Sequence, residues 1–264
     1  GGRGGGGERK EREEEEMEEE NGCINDTAKT EIYTLTLHDA ITIYYNEDLI
    51  LEVRFNILNK YVDKFLITEA KYSHSGEKKK LNFNINKFSE FKKKITYVAI
   101  EKEPKNIIYQ KKNNTFFENV SDMRTNGVRR INYQRDRLMD GLSEANDDDY
   151  ILYSDNDEIP NLENFNFKTN SSKILIFKQK QFYYKFNLFF DRISWFGTKG
   201  CKKKNLLSLS WLRDIKPKKY PNYRLDTIFS NIRYMNVKII EDGGWHFSQL
   251  KTPKDIQIDR KSVV

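Results

Sequence analysis

The acidic segment 154–160, Ser-Asp-Asn-Asp-Glu-Ile-Pro, carries the clearest chemistry in the sequence. Asp155 and Asp157 are separated by one residue, so both carboxylates can turn toward one point, where negative charge is costly unless a cation neutralises it. Mg²⁺ or Mn²⁺ bound by one or two carboxylates keeps its other positions for water and phosphate oxygens. An Asp-x-Asp pair is also common in plain turns and helix caps. The pair predicts a metal site for a phosphate-bearing ligand.

A second candidate ligand is His246, which lies between Trp245 and Phe247 after two glycines. The glycines allow a tight backbone turn, and the bulky neighbours can hold the imidazole ring rigidly at a cleft. A neutral imidazole suits a divalent metal, so His246 is predicted to be the third ligand beside Asp155 and Asp157. The alternative is a core histidine with a satisfied hydrogen bond.

Nucleotide-binding groups are predicted in two further segments. Residues 69–76 follow a predicted strand and offer Glu69, His74 and Gly76, together with hydroxyl groups that can hold a base and a ribose. A surface loop would have the same composition. Gln134 and Arg135 share an amphipathic helix, from which one of them could reach a diphosphate, although an exposed helical face is an equally good interpretation.

The composition limits the class of protein. A chain of 264 residues with 37% apolar residues can bury one substantial core, so a single domain is expected. No run approaches the roughly 18 apolar residues of a membrane span, and two cysteines favour a reducing compartment, which together predict a cytoplasmic protein. Residues 1–40 hold 5 basic and 12 acidic groups, which leaves 41 basic and 28 acidic groups elsewhere. Such a basic surface attracts phosphates, and lysine-rich solvated faces would look the same.

Short β-branched runs alternate with helical periodicity from residue 41 onward, which predicts an α/β fold. The predicted strands are 41–45, 64–69, 95–100, 149–153, 174–177, 181–190 and 237–240. A helix capped by Asn46 follows the first strand, and its predicted apolar face is Leu49, Ile50, Val53, Ile57 and Leu58. Residues 104–123 are predicted to be loop, and residues 128–142 an amphipathic helix. The acidic turn thus follows a buried central strand, at the sheet edge where α/β proteins bind ligands.

The first 40 residues of the chain are predicted to lie outside the folded domain. Residues 1–22 are a glycine run followed by a glutamate run, which cannot offset the entropy of ordering, so residues 1–40 are expected to be a low-complexity, disordered and artefactual leader. Residues 41–264 are expected to form a catalytic domain that is truncated at its C-terminus.

The sequence resembles glycosyltransferase family 17, the bisecting β-1,4-N-acetylglucosaminyltransferase family, in five segments: ITIYYNEDLILEVRFNIL, KFLITEAKYSHSG, NYQRDRL, YILYSDNDEIP and GGWHFS. The resemblance implies a GT-A-like, Rossmann-related mixed sheet flanked by helices, UDP-N-acetylglucosamine as donor, a Mn²⁺ or Mg²⁺ ion, a glycan acceptor and inversion at the anomeric carbon. Eukaryotic members would be anchored in the Golgi membrane. No nucleic-acid partner is implied.

The resemblance also implies roles for individual residues. Asp155 and Asp157 match the metal-binding pair, Glu158 a supporting carboxylate, and His246 a metal or diphosphate contact. The predicted donor-binding residues are Glu47, Glu69, His74, Gly76, Arg135, Asp155 and Trp245. A carboxylate must deprotonate the acceptor hydroxyl, and Asp242 is the first choice for this base, with Glu158 the second.

Two other functions are compatible with parts of the sequence. A metal-dependent phosphoesterase or nucleotidyltransferase also clusters acidic groups around Mg²⁺. A non-catalytic module that binds RNA or anionic glycans would explain the lysine runs at 78–80 and 202–204 and the many aromatic residues.

Overall fold

Four short apolar runs form the parallel part of a nine-stranded mixed sheet in the computed structural model. They are β1 (Asp39–Ile43), β2 (Lys64–Ala70), β3 (Ile95–Ile100) and β4 (Tyr150–Tyr153), and they lie in the order β3-β2-β1-β4. The structure describes residues 39–44, 47–109, 111, 113–163, 165–218, 220–221, 223–224, 227 and 229–250. All four residues of β4 are buried because the strand is covered on both faces, which explains its continuous apolar run.

The other five strands continue the sheet beyond β4. They are β5 (Glu158–Pro160), β6 (Ile174–Tyr183), β7 (Phe189–Lys202), β8 (Val237–Ile240) and β9 (Gly244–Ser248). β7 pairs antiparallel with β4 and with β6, and β8 and β9 lie parallel to β6 along its other side. β5 closes the order by pairing antiparallel with β9. The carboxyl ends of β4, β6 and β9 therefore point to the same edge of the sheet.

In the part of the chain that the structure describes, three α-helices flank the sheet: α1 (Asp48–Leu58), α2 (Phe116–Arg137) and α3 (Leu209–Asp214). Short 3-10 segments occur at Ile85–Lys94, Leu138–Leu142 and Lys203–Asn205. α2 begins at a capping box, in which Thr115 and Glu118 satisfy each other's backbone donors. None of the helices in the described part of the chain has the length and apolar character of a membrane span.

The helices bury the two faces of the sheet. On one face, Phe55 of α1 packs against Phe65 of β2 with ring centroids 4.6 Å apart. Phe88 and Phe91 also pack against the ring of Phe55. On the other face, α3 and the segment after α2 cover the sheet. That second cluster includes Ile41, Leu66, Leu138, Leu142, Ile151, Ile174, Cys201, Leu209 and Leu212. The described residues belong to one compact unit, and the predicted α/β class is confirmed.

Several predicted elements need correction. The predicted loop 104–123 contains the first turns of α2, whose start is set by the capping box at Thr115. The predicted strand 181–190 is the end of β6, a turn at residues 184–188 and the start of β7. The buried side of α1 is Ile50, Leu51, Arg54, Phe55 and Leu58, so the predicted apolar face was rotated, and Leu49 is 62% exposed. β1 begins at Asp39, two residues before the predicted domain start. Asn46 and residues 1–38 lie outside the described residues.

Candidate active site

The acidic turn lies at the carboxyl edge of the sheet, as the sequence predicted. It follows β4 directly, and Ser154 donates its backbone N–H to Ile41 of β1 at 3.1 Å. The residues that follow β1 and β2 reach the same edge because these strands are parallel to β4. In open α/β sheets this edge is where ligands bind. The fold therefore places the turn in the position that the predicted chemistry requires.

Asp157 and His246 face each other across the end of the sheet, with Oδ2 of Asp157 3.2 Å from Nε2 of His246. The other ring nitrogen, Nδ1, is 2.9 Å from Oε1 of Gln181, whose amide nitrogen donates to Ser248 at 2.8 Å. Oε1 of Gln181 can only accept, so Nδ1 carries the hydrogen, and Nε2 faces the carboxylate either as an N–H donor or with a lone pair that can bind a metal. Two lone pairs at this distance require a proton or a cation between them.

The ring of His246 is held in place from a second direction. Trp195 of β7 stacks on it with ring centroids 4.4 Å apart and an interplanar angle of 23°. The ring is buried, with only 7% of the residue exposed. The antiparallel register of β5 and β9 places His246 opposite Glu158. The orientation of this imidazole is thus fixed by a tryptophan, a glutamine and the register of two strands.

Asp155 turns away from this pair. Its Oδ2 accepts from Arg213 at 2.7 Å, its Oδ1 accepts from the Tyr153 hydroxyl at 3.0 Å, and Arg135 lies 3.6 Å away. Burial favours the protonated carboxyl, but the charges of Arg213 and Arg135 outweigh it and hold the pKa of Asp155 below its usual value. The predicted three-ligand set is therefore not assembled, because only Asp157 and His246 meet. Within the described ranges no group of three His, Cys, Asp or Glu side chains is arranged to hold a metal.

Glu158 lies beneath the turn and is fully buried. It accepts from Trp195 at 2.6 Å, from both terminal nitrogens of Arg213 at 2.9 and 3.2 Å, and from the backbone N–H of Asp155 at 3.1 Å. Burial raises the pKa of Glu158, and the negative charge of Asp155 adds to this. Gly197 makes room for the cluster, since a Cβ there would lie 2.8 Å from the Glu158 carboxyl carbon. A carboxylate enclosed in this way supports the turn from below.

Arg54 of α1 connects the helix to the same turn. Its side chain is buried and donates to the backbone oxygen of Glu158 and, at 2.9 Å, to the hydroxyl of Ser154. Burial lowers the pKa of Arg54 to about 10, and the nearby carboxylates counteract part of this effect. An arginine therefore occupies a position on α1 that an apolar residue would fill in an ordinary amphipathic helix.

An acidic cleft opens beside Asp157. Its volume is about 200 Å³, and it is lined by Glu47, Asp48, Leu49, Ile50, Asp157, Phe247, Gln249 and Leu250. Asn156 of the acidic turn donates a hydrogen bond at 3.0 Å to Glu47, which lines the cleft. The Oδ1 atom of Asn156 is buried and accepts no hydrogen bond within the described part of the chain. The cleft thus presents carboxylates and an apolar wall to a ligand that contacts Asp157.

The chain matches a known protein family. The model of glycosyltransferase family 17 matches residues 11–206. The chain belongs to glycosyltransferase family 17. It is therefore a glycosyltransferase, an enzyme that acts on a sugar donor and an acceptor.

Two further comparisons add little to this assignment. No curated protein matches the glycosyltransferase. Among solved structures, it is similar to the inositol-1-phosphate CTP transferase from T. maritima, with 11% identity and a TM-score of 0.36 over 86% of this chain and 96% of the other.

The loop after β2 is built around two of the predicted donor-binding residues. Glu69 is fully buried and accepts from Lys79 at 2.7 Å, from the backbone of Asn82 and Phe83, and from the Tyr97 hydroxyl at 3.0 Å. Its oxygens hold the loop, so a contact with a nucleotide would have to displace one of these bonds. Gly76 has a φ of +95°, and a Cβ there would lie 2.4 Å from the guanidinium group of Arg130. These contacts give both residues a structural role in the glycosyltransferase.

His74 and Arg135 lie closer to the acidic turn. The pKa of His74 is lowered because surrounding protein desolvates its imidazole and because the positive charge of Arg135 disfavours a second positive charge nearby. The residue as a whole is nevertheless exposed. Asp155 is near enough to oppose that shift. Arg135 donates to the Tyr153 hydroxyl at 2.9 Å. The loop after β2 and the last turn of α2 therefore approach the turn from the same side.

Asp242 and Trp245 lie apart from the residues gathered around the acidic turn. Asp242 precedes β9 and forms an ion pair with Lys180 at 2.6 Å, whereas Asp157 lies beside Phe247 near the end of that strand. Its φ of +49° orients it within an exposed turn. Trp245 alternates with His246 along β9, so it points to the opposite face of the sheet. The first choice for the base is therefore away from the cleft, and the second, Glu158, is enclosed beneath it.

Several residues of the site were not predicted from the sequence, among them Arg54, Tyr153, Gln181, Trp195 and Arg213. Tyr153 and Trp195 lie in strand-like runs in which an aromatic residue indicates core packing. Arg213 follows residue 206, where the family match ends, and so does His246. The signal that could have found Arg213 is the buried charge of Glu158, because a buried carboxylate requires a cationic partner.

Proposed function

We propose that this glycosyltransferase transfers N-acetylglucosamine from UDP-N-acetylglucosamine to a hydroxyl of a glycan, with inversion at the anomeric carbon and with Mn²⁺ or Mg²⁺ as cofactor. The observation that carries the proposal is the facing pair of Asp157 and His246 at the carboxyl edge of the sheet. The lone pairs of both groups meet at one point, which favours a cation there. A nucleoside diphosphate is the class of ligand that brings phosphate oxygens to such a cation.

Asp157 and His246 are the residues that would hold the metal. One carboxylate and one imidazole leave most positions of an octahedral ion for water and phosphate oxygens. When bound, the cation supplies positive charge that stabilises the diphosphate leaving group. Asp155 would join it only by giving up its bond with Arg213, so we assign it to holding Arg135 and Arg213 in place.

Arg135 is the residue of this chain best suited to contact the diphosphate. Its side chain is 15% exposed, and its guanidinium group lies at the same edge as the acidic turn. Arginine binds phosphate oxygens with two parallel hydrogen bonds. His74 lies on the same side, so the nucleotide would occupy the space between the loop after β2 and the turn.

Inversion requires one displacement in which the acceptor oxygen attacks from the face opposite the leaving group. A carboxylate must take the proton of the acceptor hydroxyl, and it has to reach that oxygen directly or through one water. The carboxylates that line the cleft meet this condition, whereas Glu158 is enclosed and Asp242 pairs with Lys180 outside it. The acceptor would therefore enter through the cleft.

Calorimetric titration tests the donor and the metal together. UDP-N-acetylglucosamine, UDP-glucose and GDP-mannose are titrated with and without Mn²⁺ into the wild type, Asp157→Asn and the matched control Asp140→Asn, which alters an exposed carboxylate paired with Arg137. We expect Mn²⁺-dependent binding of UDP-N-acetylglucosamine that Asp157→Asn weakens at least tenfold, or about 1.4 kcal/mol, and that Asp140→Asn preserves. Equal binding with and without the ion, or an unaffected Asp157→Asn, would refute the proposed metal site. A preference for another donor would refute the proposed sugar.

A further inference from the structure

An exposed aromatic surface covers the turn between β6 and β7. The segment 182–190 reads FYYKFNLFF, and at its tip Tyr184, Phe186, Leu188 and Phe189 are each 43–51% exposed. We call these four residues the hairpin platform. A protein gains nothing in stability by exposing so many large apolar side chains together, and such surfaces usually mark a binding site.

The hairpin platform lies at the same edge of the sheet as the acidic turn. β6 is parallel to β9 and runs in the same direction as β4, so its carboxyl end and the following turn project from the edge that carries Asp157. Tyr184 donates its backbone N–H to Ser248, the last residue of β9, at 3.0 Å. The platform is thus attached to the strand that carries His246.

Phe247 joins the hairpin platform to the acidic cleft. Its ring packs against Phe186 with centroids 5.1 Å apart and against Phe182 with centroids 5.3 Å apart. Phe247 also lines the cleft together with Glu47 and Asp157. Phe247 is itself only 8% exposed, so it packs between the cleft that contains Asp157 and the rings of the hairpin platform.

The conformation of the hairpin tip is specified by the fold. Tyr184 has a φ of +64°, a region that residues other than glycine rarely occupy. The turn is held by hydrogen bonds from Lys185 to Tyr183 at 2.7 Å and from Leu188 to Lys185 at 3.2 Å. A strained residue persists only when its surroundings impose it, and such residues cluster at binding sites.

We propose that the hairpin platform is the acceptor subsite of this enzyme and that it binds a neutral oligosaccharide. This inference rests on the proposed function, which places the nucleotide on the side of His74 and Arg135, between the loop after β2 and the acidic turn. The acceptor must approach the reacting carbon from the opposite side to the leaving group. The hairpin platform, on the β6 and β9 side, is the surface that meets this requirement.

The chemistry of the surface favours a sugar over a lipid. One face of a pyranose ring presents C–H groups that pack against an aromatic ring, while its hydroxyl groups remain at the rim for water and for polar partners. The tip offers Asn187 and the Tyr184 hydroxyl among its rings. Glu47, Asp48 and Asp157 in the adjoining cleft would repel anionic lipid headgroups, whereas a neutral oligosaccharide carries no charge to be repelled.

The test compares two double variants that each remove two exposed aromatic rings. Tyr184→Ala/Phe186→Ala removes two rings of the hairpin platform, and Phe116→Ala/Phe117→Ala removes two rings at the start of α2 that are 75% and 82% exposed. The probes are neutral tetrasaccharides of mannose, N-acetylglucosamine, glucose and galactose. Their binding is measured by saturation-transfer NMR and titration, and transfer from UDP-N-acetylglucosamine is measured with Mn²⁺. Release of UDP without an acceptor is measured in parallel, and thermal melts confirm that both variants fold.

We expect at least one tetrasaccharide to bind the wild type, and the platform variant to raise its Kd or KM about tenfold while acceptor-free UDP release stays unchanged. The α2 variant should behave as the wild type. Failure of every tetrasaccharide to bind, or equal binding by both variants, would overturn the proposal. Binding to vesicles of neutral and anionic phospholipids that only the platform variant loses would overturn it in favour of a lipid. Platform-dependent sugar binding in an enzyme that turns over no UDP-N-acetylglucosamine would leave the subsite standing and refute the proposed donor.

Discussion

Replacing Arg213 by methionine tests the ion network beneath the acidic turn, by which we mean Arg213, Asp155 and Glu158. Methionine keeps much of the side-chain volume but leaves two carboxylates without their shared cation. Removing one partner of a buried pair costs about 3–5 kcal/mol. Glu158 keeps its bonds from Trp195 and from the backbone of Asp155. We therefore expect a loss near the lower limit, about 3 kcal/mol at neutral pH.

This loss should depend on pH in a defined direction. In the variant, the pKa values of Glu158 and Asp155 rise because Arg213 no longer opposes the effect of burial. The folded variant then binds more protons than its unfolded chain, so its stability falls as pH rises. In the wild type the lowered pKa of Asp155 stabilises the folded protein at pH values above the pKa of this group in the unfolded chain. This stabilisation is lost as pH falls. Both effects make the difference between the two proteins larger at about pH 8 than at about pH 5.

Urea denaturation at the two pH values measures the effect, and two variants control for it. Arg137→Met removes an exposed arginine paired with Asp140 and should cost less than about 1 kcal/mol. Adding Glu158→Gln to Arg213→Met removes the more deeply buried of the two uncompensated charges and should recover part of the loss, which a double-mutant cycle quantifies. A loss below about 1 kcal/mol, or one that does not change with pH, would show that the network does not stabilise the turn.

Three other predictions concern single positions. Glu69→Gln should lower the free energy of unfolding by about 2 kcal/mol, because the amide cannot accept from all of the lysine and backbone donors that the carboxylate satisfies. Gly76→Ala should cost about 1–3 kcal/mol, because φ is +95° and the added Cβ would lie 2.4 Å from Arg130. Cys201, which is buried and whose pKa is raised to about 12 by burial, should react with Ellman's reagent only after unfolding, as measured in a Cys23→Ser background.

Each of these predictions has a matched control or a clear contrary result. Glu101→Gln alters an exposed carboxylate paired with Lys71 and should leave the urea midpoint unchanged. Gly127→Ala lies inside α2, where an added Cβ would meet only the His74 carbonyl oxygen at 3.6 Å, so it should be neutral or stabilising. Equal effects of Glu69→Gln and Glu101→Gln, or of the two glycine substitutions, would contradict the structural roles assigned above. Rapid labelling of Cys201 in native protein would contradict its burial.

The position of the acidic turn could be predicted because it depends on local sequence patterns. A short apolar run bounded by acidic residues predicted a buried strand, and β4 is buried throughout. The alternation of strand and helix patterns predicted parallel strands with a common carboxyl edge. The register of β5 against β9, which places Glu158 opposite His246, depends on pairing between residues 88 positions apart in the chain, and no local pattern encodes it.

The orientation of each carboxylate could not be predicted, because it is set by buried charges that a hydrophobic pattern does not show. Arg54 lies on the buried side of α1, so a face defined by apolar residues alone was rotated away from the correct one. Arg213 reaches Asp155 and Glu158 from α3, more than 50 residues along the chain. The result is that Asp155 points to arginines, although its spacing from Asp157 predicted a shared metal.

The two aspartates of the turn therefore have different electrostatic surroundings although one residue separates them. Asp155 is neutralised within the protein by Arg213 and Arg135, whereas Asp157 faces Nε2 of His246 and opens on the acidic cleft. A cation that binds at this edge should interact with Asp157 more strongly than with Asp155, because Asp155 already has a counter-charge in the two arginines. Asp155→Asn should consequently weaken Mn²⁺ binding less than Asp157→Asn does. The reverse order in a Mn²⁺ titration would mean that Arg213 releases Asp155 when the metal binds.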